Sequence, residues 1–163
     1  MTVVNTQSAA EKTFRYVVLI TQTLFGSWFL IHGLNHWVPF FPQPMGNGQG
    51  PAVEFLNVLI KSGLFGVVKA IEVVVGLLLL AHRFVPMAIV AGFPVTLVIV
   101  YHNLVIHEID LHHLVTGIVI LLVNTIIAFG YMDSFKPLFA YDAGEPRLNA
   151  MKAWLRDPFS RHP

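Results

Sequence analysis

The sequence predicts an all-α integral membrane protein, a four-helix bundle, and three observations lead to that fold class. Hydrophobic residues make up 55% of the 163 residues and charged residues only 12%, about half the charged share of a typical soluble domain. Four stretches of about twenty mostly apolar residues are long enough to cross about 30 Å of hydrocarbon as α-helices. Lys and Arg are concentrated in alternate connections, which orients the bundle.

The predicted spans are 14–38, 64–82, 84–107 and 111–131. Eight of the ten Lys and Arg residues lie at the N-terminus, in the second connection or in the C-terminal tail, whereas Lys61 is in the first connection and Lys69 is within a span. Positive charge favours the cytoplasmic side. Both termini are therefore expected in the cytoplasm, with the first and third connections outside.

Two shorter helices are expected outside the spans. Proline and glycine dominate 39–51, and "AVEFLNVLIKSG" at 52–63 then has helical spacing. This segment is expected to lie along the outer surface or to dip back into the membrane. In the tail, 146–158 has an apolar stripe typical of an amphipathic interfacial helix. The expected organisation is a transmembrane domain at 1–133 and a cytoplasmic tail at 134–163.

Polar residues of the spans are concentrated near their outer ends. His32 and His36 are one turn apart on the first span, Lys69 and Glu72 are three residues apart on the second, and His102 is in the last turns of the third. A charge at the bilayer centre costs on the order of 3 kcal/mol, so these side chains are expected to face one another. The same layer contains Asn35, Tyr101, Asn103, His107, Glu108, Asp110, His112 and His113.

Two interpretations of this layer remain open. Lys69, Glu72 and His102 are candidate catalytic residues that exchange protons with a bound molecule, or a structural ion pair beside a hydrogen-bonding histidine. The shallower histidines are candidate ligands or hydrated interfacial residues. Gln22 and Asn124, in the inner half, are expected to join helices by hydrogen bonds.

A quinone is the first candidate ligand, which would make the chain a component of a quinone-linked oxidoreductase. Quinone carbonyls need hydrogen-bond donors, the ring needs aromatic walls, and the tail needs lipid. The candidate cofactor-binding residues are His32, Asn35, His36 and Tyr101.

A haem or a transition metal is the second candidate, because histidines from different helices can converge on one ion. The candidate ligands are His36, His102, His107, His112 and His113. The chain has no cysteine, which excludes cysteine-ligated iron–sulfur clusters.

A third hypothesis is a non-catalytic accessory subunit of a larger membrane complex. Gly26, Gly33, Ala91 and Gly92 permit close helix packing within the bundle, with a partner protein or with a second copy. Besides such partners, the expected contact is the lipid bilayer. A net charge of +1 offers no basic field for nucleic acid.

Several segments resemble the DoxX-like family of small four-helix bacterial membrane proteins. They are "GLNHWVPFFPQP" (33–44), "VVKAIEVVVGLLLL" (67–80), "RFVPMAI" (83–89) and "FPVTLVIVYH" (93–102), and the similarity extends over about 26–133. The marked positions of the family pattern are here Asn35, Lys69, Glu72, Arg83, Pro86, Pro94 and His102.

This resemblance implies a four-helix bundle in the bacterial cytoplasmic membrane. It also implies a link to the membrane subunit of a thiosulfate:quinone oxidoreductase. The sequence differs from the family pattern by a longer tail and by five extra histidines, which are His32, His36, His107, His112 and His113. These departures suggest a metal site or a docking role particular to this branch.

Overall fold

A computed structural model describes residues 8–42, 49–107, 110–139 and 155–156. Within these ranges every regular element is helical. The elements are α1 (Ala9–Leu34), α2 (Pro51–Lys61), α3 (Leu64–Leu80), α4 (Val85–Tyr101), a π-helical segment (His102–Ile106), α5 (Leu111–Gly130), α6 (Met132–Phe135) and a 3-10 turn (Lys136–Phe139).

The first helix begins earlier and ends earlier than the predicted span. Ser8 caps α1, since its hydroxyl accepts the Glu11 N–H at 3.2 Å and the Glu11 carboxylate accepts the Ser8 N–H at 2.8 Å. This reciprocal capping box satisfies backbone donors that a helix start otherwise leaves unpaired. At the other end α1 stops at Leu34, and the chain turns at Asn35.

The remaining predicted spans agree with α3, with α4 and its π-helical extension, and with α5 to within about two residues. Among the residues that the structure describes, three helical stretches are long and apolar enough to cross a membrane by themselves: Ala9–Leu34, Val85–Ile106 and Leu111–Gly130. The 17 residues of α3 are shorter, and α2 and α3 form a pair bent by 84°. The described fold is therefore all-α with three candidate spans, or four if the bent pair counts as one.

The spanning helices pack in a ring, with α1 and α4 each against both α3 and α5. Phe25, Phe29, Val75, Leu79 and Ala88 are among the buried residues of the core. Apolar side chains outside the core, such as Leu24 at 67% exposure, cover the outside of the ring. An apolar exterior of this kind is suited to lipid.

Glycines bring α1 and α3 into close contact. A Cβ atom on Gly76 would lie 2.7 Å from the backbone nitrogen of Leu30 and 2.8 Å from the carbonyl oxygen of Gly26. A Cβ on Gly33 would lie 2.9 Å from the carbonyl oxygen of Lys69. The close packing expected at Gly26 and Gly33 is thus present within the bundle.

The predicted helix of the first loop is present as α2, which contacts α3 and the π-helical segment. The predicted tail helix lies outside the described residues, except for Leu155 and Arg156, which are helical. Glu108 and 43–48 also lie outside them. The cytoplasmic location of the termini and the division at residue 133 remain predictions.

Candidate functional site

The polar residues of the predicted layer lie at one end of the ring, where α1 and α4 end and where α3 and α5 begin. Their contacts divide them into two groups. The first, called the α1–α3 cluster, consists of His32, His36, Phe65, Lys69 and Glu72. The second, called the π–α5 cluster, consists of His102, His107, Asp110, His112 and His113.

A buried ion pair forms the centre of the α1–α3 cluster. The Lys69 ammonium donates to both carboxylate oxygens of Glu72, at 2.9 and 2.8 Å. The side chains are only 12% and 2% exposed. The pairing expected from their i, i+3 spacing is therefore present. The attraction between the two charges offsets part of the free-energy cost of removing them from water.

Aromatic rings from α1, from α3 and from the loop after α1 belong to the surroundings of the ion pair. The His32 ring lies 4.5 Å from Trp28 and 5.0 Å from Phe41, measured between ring centroids, and it is near enough to Lys69 for an electrostatic interaction. The Phe65 ring lies 5.5 Å from His36 and 5.2 Å from the Lys69 nitrogen. Hydrogen-bonding groups and flat apolar surfaces thus occur together here.

Asn35 is buried beside this cluster and holds the following loop. Its side-chain oxygen accepts the N–H groups of Phe40 at 2.6 Å and Phe41 at 3.1 Å, and its amide nitrogen donates to the Phe41 carbonyl at 3.1 Å. These bonds position Phe41 against His32. Asn35 therefore shapes the site through the loop.

The π–α5 cluster contains four histidine rings, two of which lie beside the carboxylate of Asp110. The rings of His107 and His113 stack at 3.4 Å with an interplanar angle of 14°. His102 lies 6.0 Å from His107, and His112 lies 5.2 Å from His113. The π-helical turn, in which the His107 N–H donates to the His102 carbonyl at 2.9 Å, keeps these two residues together.

Asp110 uses its two carboxylate oxygens differently. Oδ1 accepts the His113 backbone N–H at 2.9 Å and so caps α5. Oδ2 lies 2.6 Å from Nδ1 of His113 and 3.9 Å from Nδ1 of His107. The hydrogen bonds from the backbone and side chain of His113 lower the pKa of Asp110 below its usual value.

The predicted trio of Lys69, Glu72 and His102 is distributed over both clusters. The ring of His102 lies 6.0 Å from that of Phe55 and 6.0 Å from that of His107, and α2 contacts the π-helical segment, so His102 faces α2 and the other histidines. Tyr101 is 56% exposed. Phe41, Phe55 and Phe65 were missed as site residues, because their types alone do not distinguish a site wall from ordinary packing.

Two apolar grooves reach this end of the bundle. The α1–α5 groove has a volume of about 380 Å³ and is lined by Leu24, Phe25, Trp28, Val115, Thr116, Val119, Ile120 and Val123. The α4 groove has a volume of about 510 Å³, and its lining includes Phe55 and Tyr101. Both volumes are within the range of small-molecule sites.

The inner half contains the helix-joining bonds that were expected. Gln22 donates to the Leu79 carbonyl at 2.7 Å, pairs with His82 at 2.9 Å and accepts from the Tyr131 hydroxyl at 2.7 Å. His82 has a φ of 52°, a conformation uncommon for residues other than glycine, and its bond to Gln22 stabilises it. Asn124 likewise donates to Thr96, at 2.9 Å.

No family model, curated protein or solved structure matches this chain. The length and apolar character of the helices indicate a helical integral membrane protein that contacts the lipid bilayer.

Proposed function

We propose that the α1–α3 cluster binds the headgroup of a quinone-like molecule whose apolar tail occupies the α1–α5 groove. Trp28 is the observation that carries this proposal, because it lines the groove and also lies 4.5 Å from the His32 ring. The groove therefore leads to the polar cluster within one helical turn. An amphipathic molecule needs an apolar surface that continues into a polar one.

The cluster offers the donors that a quinone carbonyl requires. The Lys69 ammonium has three N–H donors and the imidazole of His32 has one when neutral. The rings of Trp28, Phe41 and Phe65 lie around these donors and supply flat surfaces for a quinone ring. Because the ion pair is nearly excluded from solvent, a hydrogen bond to a ligand here is stronger than at the surface.

The proposed role is electron and proton transfer as the membrane component of an oxidoreductase. Reduction of a quinone to a quinol consumes two electrons and two protons. A redox partner protein supplies the electrons, while Glu72 and His32 can transfer protons between the bound headgroup and the nearby aqueous side. The electron transfer requires a membrane protein partner. A second copy of the chain can also take part in the assembly.

We also propose that the chain belongs to the DoxX-like family, and the sequence motifs support this. A location in the bacterial cytoplasmic membrane is proposed from the same motifs, and the orientation with both termini inside is proposed from the distribution of Lys and Arg. A haem held between His36 and His102 is less well supported, since His36 packs against Phe65 while His102 packs against Phe55.

Titration of the purified protein with a decyl-chain quinone, followed by quenching of tryptophan fluorescence, tests the proposal. Val119→Phe places a larger side chain in the groove and is expected to weaken binding about 5- to 150-fold, because an overpacking cost of about 1–3 kcal/mol then falls on the complex. Val90→Phe is the matched control, because Val90 is 55% exposed on α4, away from this groove.

Saturable binding that only Val119→Phe weakens supports the proposal. Equal binding by both variants, or no saturable binding by the wild-type protein, overturns it. In the second case a non-catalytic accessory subunit becomes the better interpretation. Solvent extraction of quinone from freshly purified protein provides an independent measurement of the same occupancy.

A further inference from the structure

The π–α5 cluster places three metal-ligating side chains around one point. One ligand atom from each of His107, Asp110 and His113 lies within 4.8 Å of the other two. We propose that these three residues bind a divalent transition-metal ion, with zinc as the best match. This site is separate from the quinone site proposed above.

The distances require only small movements. The ligand atoms of a tetrahedral zinc site lie about 2.0–2.1 Å from the metal, and therefore about 3.3 Å from one another. Oδ2 of Asp110 is 2.6 Å from Nδ1 of His113 and 3.9 Å from Nδ1 of His107. Each distance differs from the tetrahedral value by less than about 1 Å. Rotation of these side chains, which are 25–48% exposed, can supply this change and can also turn the two stacked imidazole planes toward the ion.

The donor set suits zinc. Zinc binds imidazole nitrogen and carboxylate oxygen, and two histidines with one carboxylate are a known set of three protein ligands. The Asp110 carboxylate also offsets part of the positive charge. Three ligands leave a fourth tetrahedral position, which water or a small anion can occupy.

Helix capping does not account for the whole arrangement. The cap uses Oδ1 of Asp110 and the His113 backbone N–H. Oδ2 is hydrogen-bonded to Nδ1 of His113 and faces Nδ1 of His107, and a bound ion would replace the proton of that hydrogen bond. The rings of His107 and His113 also lie only 3.4 Å apart, so turning their planes toward Oδ2 would direct both Nδ1 atoms at one ion. Two protonated imidazoles at this distance would repel each other, but neutral imidazoles are the form that binds metal.

His112 supplies a matched control from the same helical turn. It is exposed, and its ring lies 5.2 Å from that of His113, but it is outside the group of three converging ligand atoms. Among the histidines predicted as metal ligands, the structure thus favours His107 and His113 over His112.

Zinc binding to the full chain tests the inference. The protein is purified in detergent with an affinity tag that lacks histidine, stripped with chelator, and titrated with Zn²⁺ by calorimetry. Cobalt(II) absorption provides an independent measure of the coordination geometry. We expect one site per chain, which His107→Gln, His113→Gln and Asp110→Asn each weaken by at least about tenfold. His112→Gln is expected to stay within about twofold of the wild type, since it removes no converging ligand.

Asp110→Asn separates metal binding from folding, because asparagine is as good a helix cap as aspartate but replaces the ligating oxygen with an amide. Circular dichroism and gel filtration check that each variant is folded. The inference is overturned if wild-type protein binds no stoichiometric zinc, or if the three ligand variants bind as tightly as His112→Gln. Val119→Phe alters the α1–α5 groove and no proposed zinc ligand, so it should weaken quinone binding and leave zinc binding unchanged. The two proposals can therefore fail independently.

Discussion

The ion pair between Lys69 and Glu72 gives the sharpest test of what holds the α1–α3 cluster together. Lys69→Met leaves the Glu72 carboxylate, 2% exposed, without its cation, whereas Glu72→Gln leaves the Lys69 ammonium, 12% exposed, without its anion. The double variant removes both charges and retains similar side-chain volumes. The three variants form a double-mutant cycle.

The structure sets the expected magnitudes. Removing one partner of a buried ion pair typically costs about 3–5 kcal/mol, whereas replacing both partners by neutral groups is often close to neutral. We expect Lys69→Met to cost about 3–5 kcal/mol because the remaining carboxylate is almost fully buried. Glu72→Gln is expected to cost less, since the ammonium is more exposed and lies 5.2 Å from the Phe65 ring. The double variant should lose less than about 1 kcal/mol.

Denaturant unfolding in detergent micelles, followed by circular dichroism, measures these free energies. Quinone titration of the same samples then separates structure from function. A double variant that is stable but binds quinone at least about tenfold more weakly supports a binding role. A double variant that is stable and binds normally shows that the pair only joins helices. If the two single losses simply add in the double variant, our account of a coupled buried pair is wrong.

Three further substitutions test the packing. Asn35→Ala removes three hydrogen bonds to the loop and should lower the unfolding free energy by about 2–3 kcal/mol; unchanged proteolysis of the loop would contradict this role. Gly76→Ala, whose Cβ would meet backbone at 2.7 Å, should cost about 1–3 kcal/mol. Gly66→Ala, with its nearest contact at 3.5 Å, is the control and should be tolerated in the same thermal assay. Tyr131→Phe loses the bond to Gln22 and should cost about 1 kcal/mol in denaturant unfolding; equal stability would show that water replaces the hydroxyl.

The helices could be predicted because their signals are local. A run of apolar residues of spanning length is visible without knowing its neighbours, and the Asp110 cap depends on a residue three positions away. The Lys69–Glu72 pair also followed from i, i+3 spacing on one helix. The start of α1 was missed because the capping box between Ser8 and Glu11 lies before the apolar run.

The grouping of the site residues could not be predicted in this way. Depth along a helix follows from residue number, but the direction in which a side chain points depends on how each helix is rotated in the bundle. His102 was expected beside Glu72, yet it packs against α2. The spacing His-x-x-Asp-x-x-His at 107–113 was a signal in the sequence that could have indicated the second cluster.

The sequence by itself determined a helical membrane protein with polar residues at one end of its spans, because hydrophobicity and the rise of about 1.5 Å per residue depend on the chain alone. Tertiary structure decided the rest. Glycine contacts set the approach of α1 to α3, and the π-helical turn after Tyr101 adds a residue to the turn and rotates the residues beyond it by about 100°. That rotation places His107 against His113, a contact that no property of a single helix specifies. The contact of Trp28 with His32, by contrast, follows from their i, i+4 spacing on α1.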